Sequence, residues 1–548
     1  MRLEQRSPNA FKDFFVFALF FLLFSTILLP ATKVSAATSG LYRYEFIVDS
    51  DGFTIVNITY TSQESSGSSW VLVPRFSEWV NKTIKGAITD WSLRDSANVT
   101  DSSFYFYEAF FYSFISDSME FQLNIQYNIS TGAMIIEPNG IFFSPQIGFE
   151  PGNRFEAVVI FPQEFKVNQN EALAYGDTYS YNPSSFSSGR VFFDGISETE
   201  NLVRLEIGFT TPEQKPDMVE VTNGVFTFET VSRYIEFASS ILDLYNRTYS
   251  SLVDLFNVTL EKANVKFFIP DFESLLSIGG YVPFTSNRMG DININFVFTR
   301  YVEGYIEVIA LHELVHHFLW KAGVSPKSLL WFHEGMAQYV SMEIAKQMGF
   351  EGMEEITRQM EESVAYLKEL VGEKFGFIQD WSMNRQPQNI GYYYTAAYYV
   401  VRSLAVEDGE LEYYARFFKT MKGKSISSNA ELVYYLSLAS NKSIAEPLNK
   451  LGFNIPDLYL YSPLLEEAIK VLDGINPIYQ PYKYLARLLY EQALSKAKQD
   501  TVGEMQFFLT VAIIVAKLAP LLTITTVSGV LLAVILLLLK SKGVFWNY

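Results

Sequence analysis

The sequence predicts a multi-domain β + α protein: an N-terminal antiparallel β-rich sandwich or saddle, a mainly helical domain after it, and one C-terminal transmembrane helix. Three observations carry this. Apolar residues alternate with period two from Leu41 to about Phe228, and they fall at helical spacing after about Thr230. The last apolar run is free of charge from Leu518 to Leu539. With 548 residues, 49% hydrophobic and 16% aromatic, the chain has side chains for several cores, which excludes a disordered protein.

Taken in order, Arg2, Arg6 and Lys12 precede an apolar run from Phe14 to Leu29, and Val34-Ser35-Ala36 offers small residues where a cleavage site belongs. These are the parts of a secretory signal peptide over residues 1–36, with an uncleaved N-terminal anchor as the alternative. The β-rich domain is expected over 37–229. Within it Met119, Phe121, Leu123, Ile125 and Tyr127 alternate with polar residues, as do Val203, Leu205, Ile207 and Phe209. Asp51-Gly52 reads as a hairpin turn. From 230 to 450 helices are expected over 303–322, 334–348, 351–371 and 393–405, around a mixed stretch from Val265 to Thr299. A helical extension follows over 451–504.

Residues 518–539 are long enough to cross a bilayer at 1.5 Å per residue. Lys540 and Lys542 place a tail at 540–548 in the cytoplasm. Lys517 and Pro520 leave the apolar stretch from Met505 to Ala516 undecided as an extension of that helix. The expected location is the cell membrane, single-pass, with the ectodomain extracellular. Sequons at Asn57, Asn81, Asn98, Asn128, Asn246, Asn257 and Asn441 all fall in that ectodomain, so glycosylation agrees with export.

The 60 acidic and 42 basic side chains leave a net charge of −18. Removing the +2 of residues 1–36 and the +3 of 517–548 puts −23 on the ectodomain, which argues against a nucleic-acid partner. The absence of cysteine excludes disulfides, thiolate metal sites and a cysteine nucleophile.

All four histidines lie between residues 312 and 333. His312-Glu313-Leu314-Val315-His316 is an HExxH sequence. On a helix His312 and His316 share one face and can hold one Zn2+, while Glu313 reaches a zinc-bound water. A catalytic zinc takes a third protein ligand and keeps one position open. Glu334, separated from His316 by seventeen residues, is the best carboxylate, and His333 is the competing ligand. His317 reads as a helix-surface residue. Gln338, one turn after Glu334, is a candidate partner for a ligating histidine.

With Trp331, Gly335, Ala337 and Tyr339 around Glu334, residues 305–345 resemble the gluzincin zinc metallopeptidases, the clan of the aminopeptidase N family, glycyl aminopeptidases and archaeal peptidase-MA-like proteins. The resemblance implies a thermolysin-like, mainly helical catalytic domain and one catalytic Zn2+ on His312, His316 and Glu334. It makes Glu313 the general base for water attack on a peptide bond. It further implies that a tyrosine in Gly391-Tyr392-Tyr393-Tyr394-Thr395-Ala396-Ala397 stabilises the oxyanion, with Tyr394 first and Tyr393 second.

Two features depart from the clan. Its Gly-x-Met-Glu-Asn segment, whose glutamate holds a substrate amine, is replaced by Gly279-Gly280-Tyr281-Val282-Pro283, and the Lys-Gly expected after the tyrosine reads Ala396-Ala397. The glycines still suit an edge strand that pairs with an extended peptide. Glu303, Glu307 and Asp291 are candidate replacement charges. The expected function is a membrane-anchored, extracytoplasmic peptidase, endopeptidase or aminopeptidase, acting on peptide or protein substrates. The alternatives are a non-catalytic surface binding protein with a structural or vestigial zinc site, and a metallohydrolase of other substrates.

Overall fold

The computed structural model describes residues 40–100, 106–268, 279–285, 288–295, 297, 304–383, 387–498 and 501–541. The expected signal peptide and the tail beyond Ser541 lie outside the described residues. A β-rich N-terminal part is followed by a mainly helical part: α1 Ile235–Phe256, α2 Tyr305–Lys321, α3 Leu330–Met348, α4 Met353–Val371, α5 Ile390–Asp408, α6 Leu411–Thr420, α7 Asn429–Ser440, α8 Ala445–Lys450, α9 Ser462–Asp473, α10 Gln480–Lys498 and α11 Val502–Ser541. The chain divides into two compact units. One takes the described residues up to 250 with 260–317 and 337–363, and the other takes 251–259, 318–336 and 364 onwards. Each of α1 to α4 runs unbroken through a division and contributes residues to both units.

In the first unit the strands Gly40–Val48, Thr54–Ser62 and Phe121–Ile129 lie side by side, antiparallel, in a seven-stranded sheet. Period two holds along them: Phe121, Leu123, Ile125, Tyr127 and Ile129 are buried while Gln126 and Asn128 face water. Met119 departs from the expected alternation. It is 66% exposed with φ +54°, in the turn before the strand. The sheet also differs from an all-antiparallel design, because Gly40–Val48 pairs parallel with Arg154–Ile160. A six-stranded and a three-stranded sheet complete the β region, and their inward residues join one aromatic-rich core. Buried phenols there find partners: the Tyr42 hydroxyl meets Ser69 Oγ at 2.7 Å and Tyr112 Oη at 2.9 Å.

The change of periodicity near residue 230 falls inside a further five-stranded sheet. Its strand order is Met218–Asn223, Phe226–Val231, Ala263–Phe268, Ile292–Asn295 and Gly280–Tyr281. The second, third and fourth strands run parallel, so crossovers are required, and α1 supplies the first of them. Gly280–Tyr281 is antiparallel and forms an edge.

In the second unit α11 is one helix of 40 residues that continues through Pro520. The stretch left undecided in the sequence belongs to it. Met505, Leu509, Ala512, Ile513, Ala516 and Ala519 are buried, and no described residue after Ala519 is. Small and apolar side chains on one stripe let α9 and α10 pack closely against that first half.

Candidate metal centre

Helix α2 is apolar on nearly every side, which suits only a buried helix. Ile309, Leu311, Leu314, Val315 and Phe318 are all fully enclosed. Its first turn is closed by Glu307, whose Oε2 accepts from the Gly304 N–H at 2.6 Å. Tyr245 on α1 donates its hydroxyl to the Ala310 carbonyl at 2.8 Å and fixes the turn before the histidines. The helix ends at Gly323, φ +91°, where the Val324 N–H caps the Leu319 carbonyl at 3.0 Å. Helix α3 then starts at Leu330, earlier than expected from sequence, so His333 and Glu334 lie inside it. Trp331 anchors it by donating from Nε1 to Asn429 Oδ1 at 2.8 Å.

His312 and His316 stand one turn apart with ring centroids 4.9 Å apart. Glu334 meets them from α3. One ligand atom from each of the three lies within 4.8 Å of the others, and none of these side chains is more than 1% exposed. Glu313 is fully buried, and neither of its carboxylate oxygens has a hydrogen-bond partner among the described residues. Burial pushes its carboxyl well above the usual carboxylate range. Two imidazoles and a carboxylate are the protein donor set of a catalytic zinc. A cation beside Glu313 would also offset the cost of burying that charge. The residues present fit the ion.

Burial draws the His312 ring down to about 3, against a hydrogen bond with the Gln338 side chain that raises it. The ring is therefore neutral at ordinary pH, as ligation needs. Gln338 is itself buried, 4% exposed. Gln338→Leu is expected to weaken zinc binding roughly 10–100-fold by releasing the ring orientation. A competition titration against a chromophoric chelator checks this, and an unchanged affinity would remove Gln338 from the site.

His333 is brought close in sequence but not into the group. Its Nε2 lies 3.0 Å from the Val324 carbonyl, an acceptor only, so that nitrogen carries the proton and has no lone pair for a metal. Burial holds its pKa down at about 4. His317 is half-buried rather than on the surface, facing the Gly290 backbone and Asp291.

Helix α3 meets α5 at Gly335. A Cβ there would stand 2.5 Å from the Ala397 carbonyl and 2.6 Å from Val401 Cγ2. Tyr394 occupies the same stripe of α5, three and seven residues before these contacts. It is buried against Trp381 with ring centroids 5.1 Å apart. Tyr393 is half-buried against Phe377 and Trp381.

Gly280 lies on a sheet edge, as expected for the Gly279-Gly280 pair, and its contact with Glu313 is what the sequence does not mark. A Cβ on Gly280 would lie 2.8 Å from Glu313 Cγ and 2.9 Å from its Oε1, so the edge strand passes directly over the carboxylate. The buried Asn293 side chain holds that strand through the Tyr281 carbonyl at 3.3 Å, and nothing local in the sequence marks this role. Of the three candidate amine-binding charges, Glu307 is occupied at Gly304 and Asp291 is paired with Lys266 at 3.3 Å. Glu303 lies outside the described residues.

No family model and no curated protein matches the chain. Among solved structures it is similar to a yeast LTA4 hydrolase at 13% identity and a TM-score of 0.32, over 88% of this chain and 86% of that one. It is also similar to aminopeptidase A of Legionella pneumophila in complex with aspartic acid, at 12% identity and a TM-score of 0.28 over 77% of this chain. The chain spans about half the length of the Legionella enzyme, 50%. Likeness at this level transfers neither a residue nor an activity.

Proposed function

We propose that this chain is a membrane-anchored, extracytoplasmic zinc-dependent peptidase in which His312, His316 and Glu334 hold the ion and Glu313 is the general base. The observation that carries the reading is the buried His–His–Glu group with the Glu313 carboxylate beside it, buried and not hydrogen-bonded among the described residues. Structural zinc binding has no use for such a group.

Zinc bound there supplies Lewis acidity that polarises a carbonyl and acidifies water. Glu313 accepts the proton of the attacking water and passes it to the leaving amine. Its burial raises its proton affinity towards what that exchange requires. Gln338 keeps His312 oriented. Gly280, lacking a side chain, leaves the sheet edge open so that an extended peptide backbone can pair beside Glu313. Tyr394 is assigned the hydroxyl that stabilises the oxyanion, with Tyr393 as the alternative.

Export is supported by the leader over 1–36 and by the seven sequon asparagines, none of which is buried. The anchor is 518–539, of which Ala519 alone is buried, and 540–548 is the cytoplasmic tail. The β-rich domain is assigned to 37–229, the thermolysin-like catalytic domain to 230–450 and the helical extension to 451–504. The engagement of Glu307 and Asp291 favours endopeptidase over aminopeptidase activity.

Matched peptides with free and acetylated N-termini, assayed with and without 1,10-phenanthroline, test this. The expected result is chelator-sensitive cleavage of both, restored by added zinc. Cleavage of the free-amine peptide alone would make it an aminopeptidase. No chelator-sensitive cleavage of either would overturn the peptidase reading.

A further inference from the structure

The charge-free half of α11 is not alone at the level where it begins. Lys517, the last charge before it, is paired with Glu467 on α9 at 2.6 Å. Beyond that pair the packing continues: Ala486 of α10 and Ile475 are buried with Ala516 and Ala519. The Tyr482 hydroxyl is hydrogen-bonded to Thr526 Oγ1. Thr526 is eight residues past Leu518, about 12 Å further along the helix axis. The connector between α9 and α10, and the first turns of α10, therefore run beside a stretch of α11 assigned to the bilayer.

What this tip exposes is apolar. Ile478 is 73% exposed, Tyr484 64%, Leu485 42% and Leu488 39%. Tyr484, Leu485 and Leu488 share one helical stripe with Pro481, turned away from the Tyr482 and Ala486 side that meets α11. Arg487, on the flank of that stripe, forms an exposed pair at 3.9 Å with Glu491 one turn further on, where the helix becomes polar. Large exposed apolar side chains thus gather at the end of α10 that lies beside the apolar half of α11, and Leu494, 37% exposed, stands apart further along. Tyr479, Tyr482 and Tyr484 alternate with polar and proline residues, and Lys483 turns its ammonium back onto the Ile475 carbonyl at 2.9 Å. Amphipathic tyrosines with a nearby lysine are the composition of a membrane–water interface rather than of a bilayer centre.

We propose that the α9–α10 connector and the first two turns of α10 are a second membrane-contacting element, seated in the interfacial layer of the bilayer that α11 crosses. The inference rests on the reading of α11 as a span and adds a monotopic contact to it. Two attachments at different radii would fix the stem of α9, α10 and early α11 against rotation about the span.

The natural absence of cysteine makes the test direct. Single variants Ile478→Cys, Leu485→Cys, Val530→Cys and Glu491→Cys of the full chain carry an environment-sensitive fluorophore in phosphatidylcholine vesicles doped with doxyl-labelled lipid. Labels at 478 and 485 are expected to be quenched at least twofold more than the label at 491 by a shallow doxyl group. The label at 530 answers to a deep one. If 530 is quenched by lipid while 478 and 485 respond only to aqueous iodide, as 491 should, the interfacial contact is wrong and the span stands. Protection of 478 and 485 from both quenchers would mean that a second copy of the chain covers them, which also overturns it. A label at 530 insensitive to lipid would remove the span and this element together.

Discussion

Glu313→Gln is expected to retain one zinc per chain and to lower kcat/KM by about 10³-fold, roughly 4 kcal/mol of transition-state stabilisation. The substitution is nearly isosteric, and it leaves the three candidate ligands in place. What it removes is the ability to accept a proton from water and return it to the leaving amine. It also replaces a fully buried carboxylate, without a hydrogen-bond partner among the described residues, by a neutral amide that is cheaper to bury. The metal-free variant is therefore expected to melt no lower than the metal-free parent, on the usual scale of about 2–4 °C per kcal/mol. Activity and stability moving in opposite directions is the signature of a group kept for chemistry. Zinc analysis, peptide hydrolysis and thermal melting on one preparation decide it. Retained cleavage would end the assignment of Glu313 as base.

The parts of this site that could be read from sequence are those set by the helix period. His312 and His316 must share a face once α2 is a helix, and Glu334 follows at hairpin distance. Sequence favoured Glu334 over His333 by ligand chemistry and resemblance, but not by geometry. Adjacent helical residues point about 100° apart, and which one turns inward depends on how α3 is rotated against Gly323 and Val324. The role of Gly280 was hidden for another reason: it faces Glu313 across 33 residues of chain, through a strand of two residues.

The fold shows the same division. Alternation predicted the faces of Phe121–Ile129 and Leu202–Thr210, because an antiparallel sheet with one side buried writes its pattern locally. The five-stranded mixed sheet shows alternation in its first two strands only, and its parallel order left no local trace. Its parallel neighbours are joined through α1 or by long excursions, and its strands are six residues or fewer. The continuation of α11 through Pro520 depended on burial of Leu509, Ile513, Ala516 and Ala519 against α9 and α10, a tertiary gain that propensity does not contain.

The second large effect separates the two residues that sequence left in competition. Glu334→Gln is expected to cost far more zinc affinity than the roughly 10–100-fold of an outer-shell change, and to lose hydrolysis with it. The amide keeps the shape but loses the negative charge, so the site has two neutral imidazoles and no anionic donor for a divalent ion. His333→Gln is expected to retain zinc binding and most of the hydrolysis. The structural reason is specific: His333 uses Nε2–H on the Val324 carbonyl, and a glutamine amide can donate to the same oxygen. Its substitution perturbs the start of α3 without entering the metal's coordination. Zinc titration of the two variants gives a clean reversal if the assignment is wrong. Loss of zinc in His333→Gln together with full binding in Glu334→Gln would move the third ligand one residue back along α3, and would require that helix to turn by about 100° from the orientation described here.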